Sequence, residues 1–235
     1  ASTFTTTLGC PFLEPFAAAS LTDGIWETSS AAWKKDSITH AEMSTATGWT
    51  IEHYVKDGIT GIEAYHPEFS WISKSNVWLI SPSIDLSKTV PGVVTLSANV
   101  ALSANRNFGA AELPQSATVD RLGVCISTDN GNTWSKSNAV FWACDSTGDH
   151  YYNRFGLEAR KITTDISRFI GQPIRMAFYL ETDNTSNRMY IDSVQLAWEE
   201  AVCIGVRNLQ FTALSDTTAH ASWVVYGSPD EVNVE

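Results

Sequence analysis

The sequence predicts an all-β protein, built as one large β-sandwich or as two modest domains. Apolar and polar residues alternate with period two, most cleanly between Val94 and Leu102. Turn signals separate such segments, as at Asp129-Asn130-Gly131, where Asn and Gly tolerate a positive φ. With 235 residues, 43% of them hydrophobic, the chain is long enough to bury a core.

The N-terminal part of the chain is the least regular. Residues 10–16 contain two prolines, which predicts an edge strand or an extended lead-in. Residues 17–48 show no sustained period and predict long loops, with a short helical turn around residues 31–35. Further strands are predicted, in chain order, at 49–55, 77–80, 94–102, 122–126, 139–143, 157–162, 174–180 and 188–198.

The last two of these strands are separated by the polar residues 183–187 and are predicted to form a hairpin. Strict alternation in the closing strand places one polar residue among apolar ones on a single face: Tyr190, Asp192, Val194, Leu196 and Trp198. Burying an unpaired carboxylate costs several kcal/mol. Asp192 is therefore predicted to bind backbone donors, a basic partner or a metal ion.

Four cysteines are widely spaced: Cys10, Cys125, Cys144 and Cys203. Since they form no Cys-x-x-Cys pair, a zinc or thioredoxin-type site is not predicted. The favoured disulfide is Cys10–Cys203, which would join the first strand to the segment after the last. Cys125 and Cys144 are either a second disulfide or two buried thiols.

The chain is acidic, with 15 Lys and Arg against 26 Asp and Glu and a formal charge of −11. Nucleic acid and anionic membranes need clustered cations, so neither partner is predicted. No apolar run approaches 18 residues, so membrane insertion is not predicted either. The first residues lack the pattern of a signal peptide, as in a mature or trimmed product.

No catalytic motif is found in the sequence, and no enzyme is predicted. The histidines form no His-Glu-x-x-His pair, and there is no Gly-x-Ser-x-Gly elbow or Gly-rich phosphate loop. Residues 127–134 match the Asp-box pattern Ser-x-Asp-x-Gly-x-Thr-Trp of sialidases and other propellers. A propeller needs several copies, so the single copy predicts a stabilised hairpin turn.

Five segments carry a family resemblance: residues 78–86, 122–131, 162–172, 174–179 and 190–194. In this order and spacing they resemble the cleaved-adhesin (choice-of-anchor J) domain family, related to MAM-like jelly rolls and to the adhesin modules of gingipains. The resemblance implies a jelly-roll β-sandwich over residues 1–200 and the start of a fibronectin type III domain over 201–235. It also implies a secreted or outer-surface protein of a Gram-negative bacterium, and structural calcium.

The resemblance and the burial argument together predict a calcium site at Glu14 and Asp192 that pins the first strand against the last. The sequence departs from the family here, since the usual doubled Asp of the last strand is Asp192-Ser193 and Glu14 lies in a Pro-flanked opening strand. The alternative is that Asp192 accepts backbone N–H bonds at a bulge or cap.

Aromatic residues in predicted loops are the candidate ligand-binding residues: Tyr65, His66, Trp71, Tyr151 and Tyr152. Their rings can stack on sugars, or can pack their own loops. The predicted function is a non-catalytic adhesion or carbohydrate-binding module of a multidomain protein, with a host or dietary glycan or an extracellular-matrix protein as partner. The alternatives are an accessory domain that targets a larger protease or glycosidase to its substrate, and a structural spacer.

Overall fold

The computed structural model describes residues 8–14, 16, 26–34, 36–45, 49–56, 59–65, 75–103, 120–142, 155–182, 188–200, 207–215 and 218–224. Within residues 50–65 and 207–224 only the backbone of these ranges is described. The described strands are β1 Leu8–Gly9, β2 Phe12–Glu14, β3 Glu27–Ser30, β4 Ser37–Thr39, β5 Ser44–Thr45, β6 Thr50–Lys56, β7 Ile59–Tyr65, β8 Ser75–Ile80, β9 Ile84–Asp85, β10 Gly92–Ser103, β11 Asp120–Ser127, β12 Thr133–Ser135, β13 Ala139–Trp142, β14 Arg160–Asp165, β15 Pro173–Thr182, β16 Arg188–Glu200, β17 Arg207–Ser215 and β18 Thr218–Val224.

Two large sheets make up the fold. The eight-stranded sheet has the order β1-β9-β15-β8-β3-β5, with β11 on the other side of β15 and β13 beside β11. The six-stranded sheet has the order β14-β10-β16-β7-β6, with the short β2 also on β16. Apart from the parallel pair β1–β9, the described pairs are antiparallel. The predicted all-β, jelly-roll β-sandwich is confirmed.

The sandwich core is formed by alternate residues of both sheets. In the six-stranded sheet β10 contributes the even residues from Val94 to Leu102, as its alternation predicts. In the eight-stranded sheet β15 contributes Ile174, Met176, Phe178 and Leu180. The strands predicted from period two therefore exist, and β14 is displaced by about three residues from its predicted position at 157–162.

The predicted hairpin of the last two strands is wrong. β15 pairs with β8, β9 and β11, whereas β16 pairs with β10, β2 and β7 in the opposite sheet. Consecutive strands are neighbours in only about two-thirds of cases. Here both strands have apolar core faces, and those faces meet across the sandwich instead of lying side by side.

A β-bulge interrupts the pairing of β16 with β10. Ser97 lies opposite Gln195, and Asn99 lies opposite Asp192, so β16 has one residue more than β10 between these pairs. Ser193, in the extra stretch, has a φ of 50°. An extra residue in one strand shifts its alternation by one and exchanges the two faces.

The bulge overturns the predicted single face of β16. Before it, Met189 and Ile191 belong to the sandwich core, and after it Val194 and Leu196 do. Asp192 therefore lies on the outer face of the six-stranded sheet, not among the core residues, because directly opposed residues share a face and Asn99 points outward on β10. Tyr190 is also on this outer face, buried against Ala101.

A second hydrophobic cluster, the outer core, covers the outer face of the eight-stranded sheet. Trp78 and Tyr179 project from β8 and β15 and are fully buried there. Ala31, Trp33, Ile38 and Met43 pack against them. Trp33 is in edge contact with Trp78 at a centroid distance of 4.9 Å. Trp78 donates its indole N–H to the Ala31 carbonyl at 2.9 Å.

The predicted loops and helical turn in this N-terminal part are only partly correct. The strands β3, β4 and β5 were missed because they are short and rich in Ser and Thr. The helical turn predicted at 31–35 is wrong, since the 3-10 turn lies at His40–Glu42. Thr39 and Glu42 form a capping box there, which fixes the turn, whereas Trp33 is used for packing.

The Asp-box segment forms the stabilised turn that its single copy predicts. Asp129 accepts bonds from the Thr133 amide at 3.0 Å and from the Thr133 hydroxyl at 2.6 Å. The Ser127 hydroxyl accepts from the Gly131 amide at 2.9 Å. Beyond the turn β12 pairs with β4, and Trp134 is fully buried in the outer core. The predicted return strand follows as β13 on β11.

The thiols of Cys10 and Cys125 are both free. The predicted Cys10–Cys203 disulfide is therefore wrong, and the Cys10 thiol instead faces the Leu196 carbonyl at 3.8 Å. Cys125 is a buried thiol, in agreement with the second alternative, and burial raises its pKa to about 12. Cys144 and Cys203 lie outside the described residues.

The C-terminal strands β17 and β18 pair with each other in a two-stranded sheet of their own. The assignment of this segment to a fibronectin type III domain stays a prediction. In the described part of the chain no helix is long and apolar enough to cross a membrane.

Candidate functional site

Glu14, at the end of β2, is opposite Val194 on β16. One carboxylate oxygen of Glu14 accepts the Phe16 amide at 2.7 Å, and the other accepts the Trp26 indole N–H at 3.0 Å. Phe16 and Trp26 are buried, with ring centroids 5.2 Å apart. Glu14 thus fixes the chain where it enters the sandwich, which links the first part of the chain to the closing strand.

Asp192 lies at the bulge, half-buried on the outer face of the six-stranded sheet. Desolvation raises the pKa of its carboxyl above the ordinary value, although the Ser193 amide and hydroxyl act in the opposite direction. The hydroxyl of Ser193 lies 3.1 Å from one Asp192 oxygen. Asp192 therefore accepts a local backbone bond at a bulge, as one of the two sequence interpretations expects.

A calcium ion shared by Glu14 and Asp192 fits these residues poorly. Both oxygens of Glu14 are already bonded to N–H donors. The register also places Glu14 opposite the inward Val194, while Asp192 is on the outer face. In the described ranges, no group of three or more His, Cys, Asp or Glu is placed to hold a metal ion. Calcium needs six to eight oxygen ligands, so its donor set among these residues is incomplete.

The outer face of the six-stranded sheet around Asp192 has two rows of polar side chains across β14, β10 and β16. We call these two rows the polar face. Each row has one residue per strand at matching register, so the side chains lie on the same side of the sheet. The rows are Lys161, Asn99 and Asp192, and Thr163, Ser97 and Gln195. Together they contain an ammonium group, two amides, two hydroxyls and a carboxylate, and Ser97 is the one buried residue among them.

The Asp192 carboxylate is not neutralised by the cation in its row. Lys161 is two strands away, about 10 Å at the usual strand spacing. Asn99 lies between them and is half-buried. The polar face therefore keeps separate donors and acceptors on a rigid sheet, which suits hydrogen bonding to a polar ligand. Asn99 and Gln195 were not predicted from the sequence, because Asn99 reaches Asp192 only through the strand register and Gln195 shares its face only because of the bulge.

Of the predicted ligand-binding residues, only Tyr65 lies on a described strand. Tyr65 is the last residue of β7, and its backbone is paired with that of Tyr190 on β16. β7 is therefore a strand next to the polar face. The side chain of Tyr65 is not described. The other four predicted residues lie outside the described ranges: His66, Trp71, Tyr151 and Tyr152.

No protein-family model matches the chain, and no curated protein matches it. Among solved structures, it is similar to the K1 cleaved adhesin domain of Lys-gingipain from Porphyromonas gingivalis, with 17% identity and a TM-score of 0.48 over 81% of this chain and 99% of that one. The K3 cleaved adhesin domain of the same protein gives 16% identity and a TM-score of 0.48 over 79% and 96%.

A family 22 carbohydrate-binding module of Clostridium thermocellum is similar at 8% identity, with a TM-score of 0.40 over 82% of this chain and 96% of that one. These TM-scores are below 0.5 and the identities are low.

Proposed function

We propose that the chain is a non-catalytic adhesion or carbohydrate-binding module of a secreted or cell-surface protein, and that the polar face binds the ligand. The observation that carries the proposal is the pair of cross-strand rows around Asp192. A sugar presents several hydroxyls at fixed spacing, each able to donate and accept. Rows of amide, hydroxyl and carboxylate groups on a rigid sheet supply both kinds of partner.

The half-buried carboxylate is the strongest acceptor of the polar face. Asp192 is paired with no basic group in the described ranges, and desolvation raises its pKa. A hydrogen bond from a sugar hydroxyl would stabilise this charge, and hydrogen bonds to charged groups contribute about 1.5–3 kcal/mol. The ligand therefore compensates a carboxylate that the fold itself leaves poorly solvated.

The predicted aromatic residues complete the proposed site. β7 brings Tyr65 next to Tyr190 at the end of β16, and His66 and Trp71 follow directly in the sequence. Aromatic rings beside a polar row stack on the apolar face of a sugar. Tyr151 and Tyr152 are proposed as further ligand contacts because they are aromatic residues of a predicted loop.

Glycan-array binding followed by titration calorimetry with the best glycan tests the proposal. Asp192→Asn removes the charge and is expected to weaken binding about tenfold, the equivalent of about 1.4 kcal/mol. Trp71→Ala is expected to weaken it as well. The matched control is Asp36→Asn, an exposed aspartate of the segment that covers the opposite sheet, and it should bind as the wild type does.

The array outcomes also distinguish the alternatives. Equal binding by Asp192→Asn and wild type would overturn the assignment of the polar face. Binding to an extracellular-matrix protein and to no glycan would favour the adhesion alternative. No binding to any surface polymer would favour a spacer, and a catalytic domain on the same polypeptide would favour the targeting role.

Structural calcium stays a proposal from the family resemblance, with Asp192 as the carboxylate able to contribute. The test is the unfolding midpoint with calcium chloride and with chelator. We expect calcium to raise the midpoint, Asp192→Asn to remove the rise, and Glu14→Gln to keep it, because the Glu14 oxygens are used by N–H donors. An equal midpoint in chelator and calcium would contradict calcium binding.

A further inference from the structure

A groove lies at one edge of the sandwich, where the start of the chain meets the end of β16. Its volume is about 410 Å³, within the range of small-ligand pockets of about 300–1,000 Å³. The lining residues come from β1, from the turn after β9 and from β16: Gly9, Cys10, Asp85, Lys88, Thr89, Val90 and Trp198. We call this cavity the Trp198 groove.

The indole of Trp198 is held in a fixed position at the groove wall. Its N–H donates to the Val90 carbonyl at 3.1 Å. It also lies over Gly92, where a Cβ atom would come within 2.5 Å of the indole nitrogen. Trp198 is half-buried against the sandwich core. A ring anchored in this way costs little conformational entropy on binding, which makes it a suitable stacking platform.

Polar groups that can form further hydrogen bonds lie around this ring. The ammonium group of Lys88 and the hydroxyl of Thr89 have no hydrogen-bond partner among the described residues. The Asp85 carboxylate accepts the Ser87 amide at 2.8 Å and also interacts with the Ser87 hydroxyl, and its two oxygens have about four lone-pair sites, so it can accept a further bond. The groove thus offers two donors and an acceptor next to an aromatic ring.

The charge and shape of the groove select the ligand class. One carboxylate and one ammonium group give no net charge, which favours neither an anion nor a cation. The groove is too small for a long polymer segment but is large enough for one or two sugar rings. A pyranose has an apolar face for stacking and a rim of hydroxyls that donate and accept, and these match the ring and the three polar groups.

We propose that the Trp198 groove is a second binding site, which takes a neutral hexopyranose residue stacked on Trp198, with its hydroxyls bound by Asp85, Lys88 and Thr89. It is separate from the polar face. Trp198 is six positions from Asp192 along β16, about 20 Å along a strand. The two also lie on opposite faces, because Trp198 is opposite Val94 of the core and Asp192 is opposite Asn99.

The test is a titration of the full chain with the methyl glycosides of glucose, galactose and mannose. Binding is observed through the indole N–H signals in an amide correlation spectrum. Trp198→Phe identifies the Trp198 signal by its loss. We expect one of the glycosides to shift this signal in a saturable way. Lys88→Ala should weaken that binding about tenfold.

A blocking variant keeps the test independent of folding defects at Trp198. A Cβ atom at Gly9 would meet no atom within 4 Å, so Gly9→Leu can add bulk to the groove lining. It should abolish the shift of the Trp198 signal. Lys136→Ala, a lysine beside Trp33 in the outer core, is the matched control and should leave the shift unchanged.

Two results would overturn the second site: no shift of the Trp198 signal with any of the three glycosides, or the same shift in Gly9→Leu and Lys88→Ala as in the wild type. Asp192→Asn separates this proposal from that of the polar face. Binding at the groove should persist in Asp192→Asn. Its loss there would show that the two regions form a single site.

Discussion

The two hydrophobic clusters of this protein lie on opposite faces of the same sheet and are built differently. The sandwich core has a hydrogen-bonded sheet on each side, and its strands contribute mainly aliphatic residues and Phe. The outer core has a large sheet on one side only, with the two-stranded β4–β12 sheet on the other, and aromatic rings such as Trp78, Trp134 and Tyr179 fill it. Alternate residues of β15 belong to the two clusters, with Phe178 in the sandwich core and Tyr179 in the outer core.

The covering side of the outer core depends on polar links instead of a large sheet. Arg175 donates to the Ser81 carbonyl at 2.7 Å and to Glu27 at 3.2 Å, and Glu27 also contacts the His40 ring. The indole N–H groups of Trp33 and Trp134 are buried without an acceptor in the described ranges. Each such group costs about 1–3 kcal/mol. The outer core should therefore open more readily than the sandwich core.

The largest expected effect is in the sandwich core. Phe178→Ala should lower the free energy of unfolding by about 3–5 kcal/mol, because it leaves a cavity between two rigid sheets. Urea unfolding measures the loss. Leu13→Ala is the control, since Leu13 is 60% exposed and its truncation should cost under about 0.5 kcal/mol. A loss near that of the control would mean that the sandwich core is not the cooperative centre of the fold.

Trp134→Ala tests whether the outer core is a separate unit. We expect a loss of about 3 kcal/mol that is confined to the covering segment. Native-state hydrogen exchange should show reduced protection of amides in β4 and β12, while amides of β10 keep theirs. An equal loss of protection in all three strands would show that the two clusters unfold together.

Asp129→Asn should have a smaller effect, about 1 kcal/mol, because it weakens the bonds that close the Asp-box turn before β12. The same exchange measurement applies, and the effect should again be local to β12 and β4. Asp36→Asn changes the same charge on an exposed residue of this side and is the control. Equal effects of the two variants would mean that the turn does not hold the outer core closed.

Acid should weaken the outer core through Glu27, by under about 1 kcal/mol since this carboxylate is partly exposed. Burial alone would raise the pKa of Glu27, but the bond from His40 and the charge of Arg175 hold it below its ordinary 4.5. A lowered pKa stabilises the fold above pH 4.5, and this stabilisation is lost as the pH falls through the folded-state pKa.

The measurement is exchange protection of β4 between neutral and acidic pH, with Glu27→Gln as the variant that should lose this pH dependence. Asp192 acts in the opposite direction, because its raised pKa means that protonation on acidification relieves an unfavourable charge. A parallel loss in both sheets on acidification would contradict this assignment of the two carboxylates.

Period two correctly predicted the long strands β10, β11 and β15, because each buries alternate residues against the sandwich core. It also predicted β16, although the bulge exchanges the two faces of that strand. It failed for β3, β4 and β5, which are short and polar. Partner choice was not predictable for β15 and β16, since both have the pattern of a hairpin. Their apolar faces meet across the core, and only the folded pairing reveals this.

The candidate site was predictable in its central residue and not in its surroundings. Asp192 was recognised as unusual because a carboxylate stood in an apolar alternation. Its side of the sheet was mistaken because Ser193, which is not glycine, adopts a positive φ at the bulge. Asn99 is distant from Asp192 in sequence, and only the register of β10 with β16 makes the two neighbours. Gln195 lies on the same strand as Asp192, but the two share the outer face only because of the bulge.

The extra residue of β16 shows that the number of residues in a strand, as well as their type, decides on which face a carboxylate such as that of Asp192 lies. Deleting Ser193 would restore a regular ladder from β10 to β16, with Ile191 and Val194 still facing the core and Asp192 still opposite Asn99 on the outer face. Deleting a residue elsewhere in β16 would instead exchange the two faces at one end of the strand. A single-codon deletion of Ser193 should therefore be better tolerated than a deletion at most other positions of this strand.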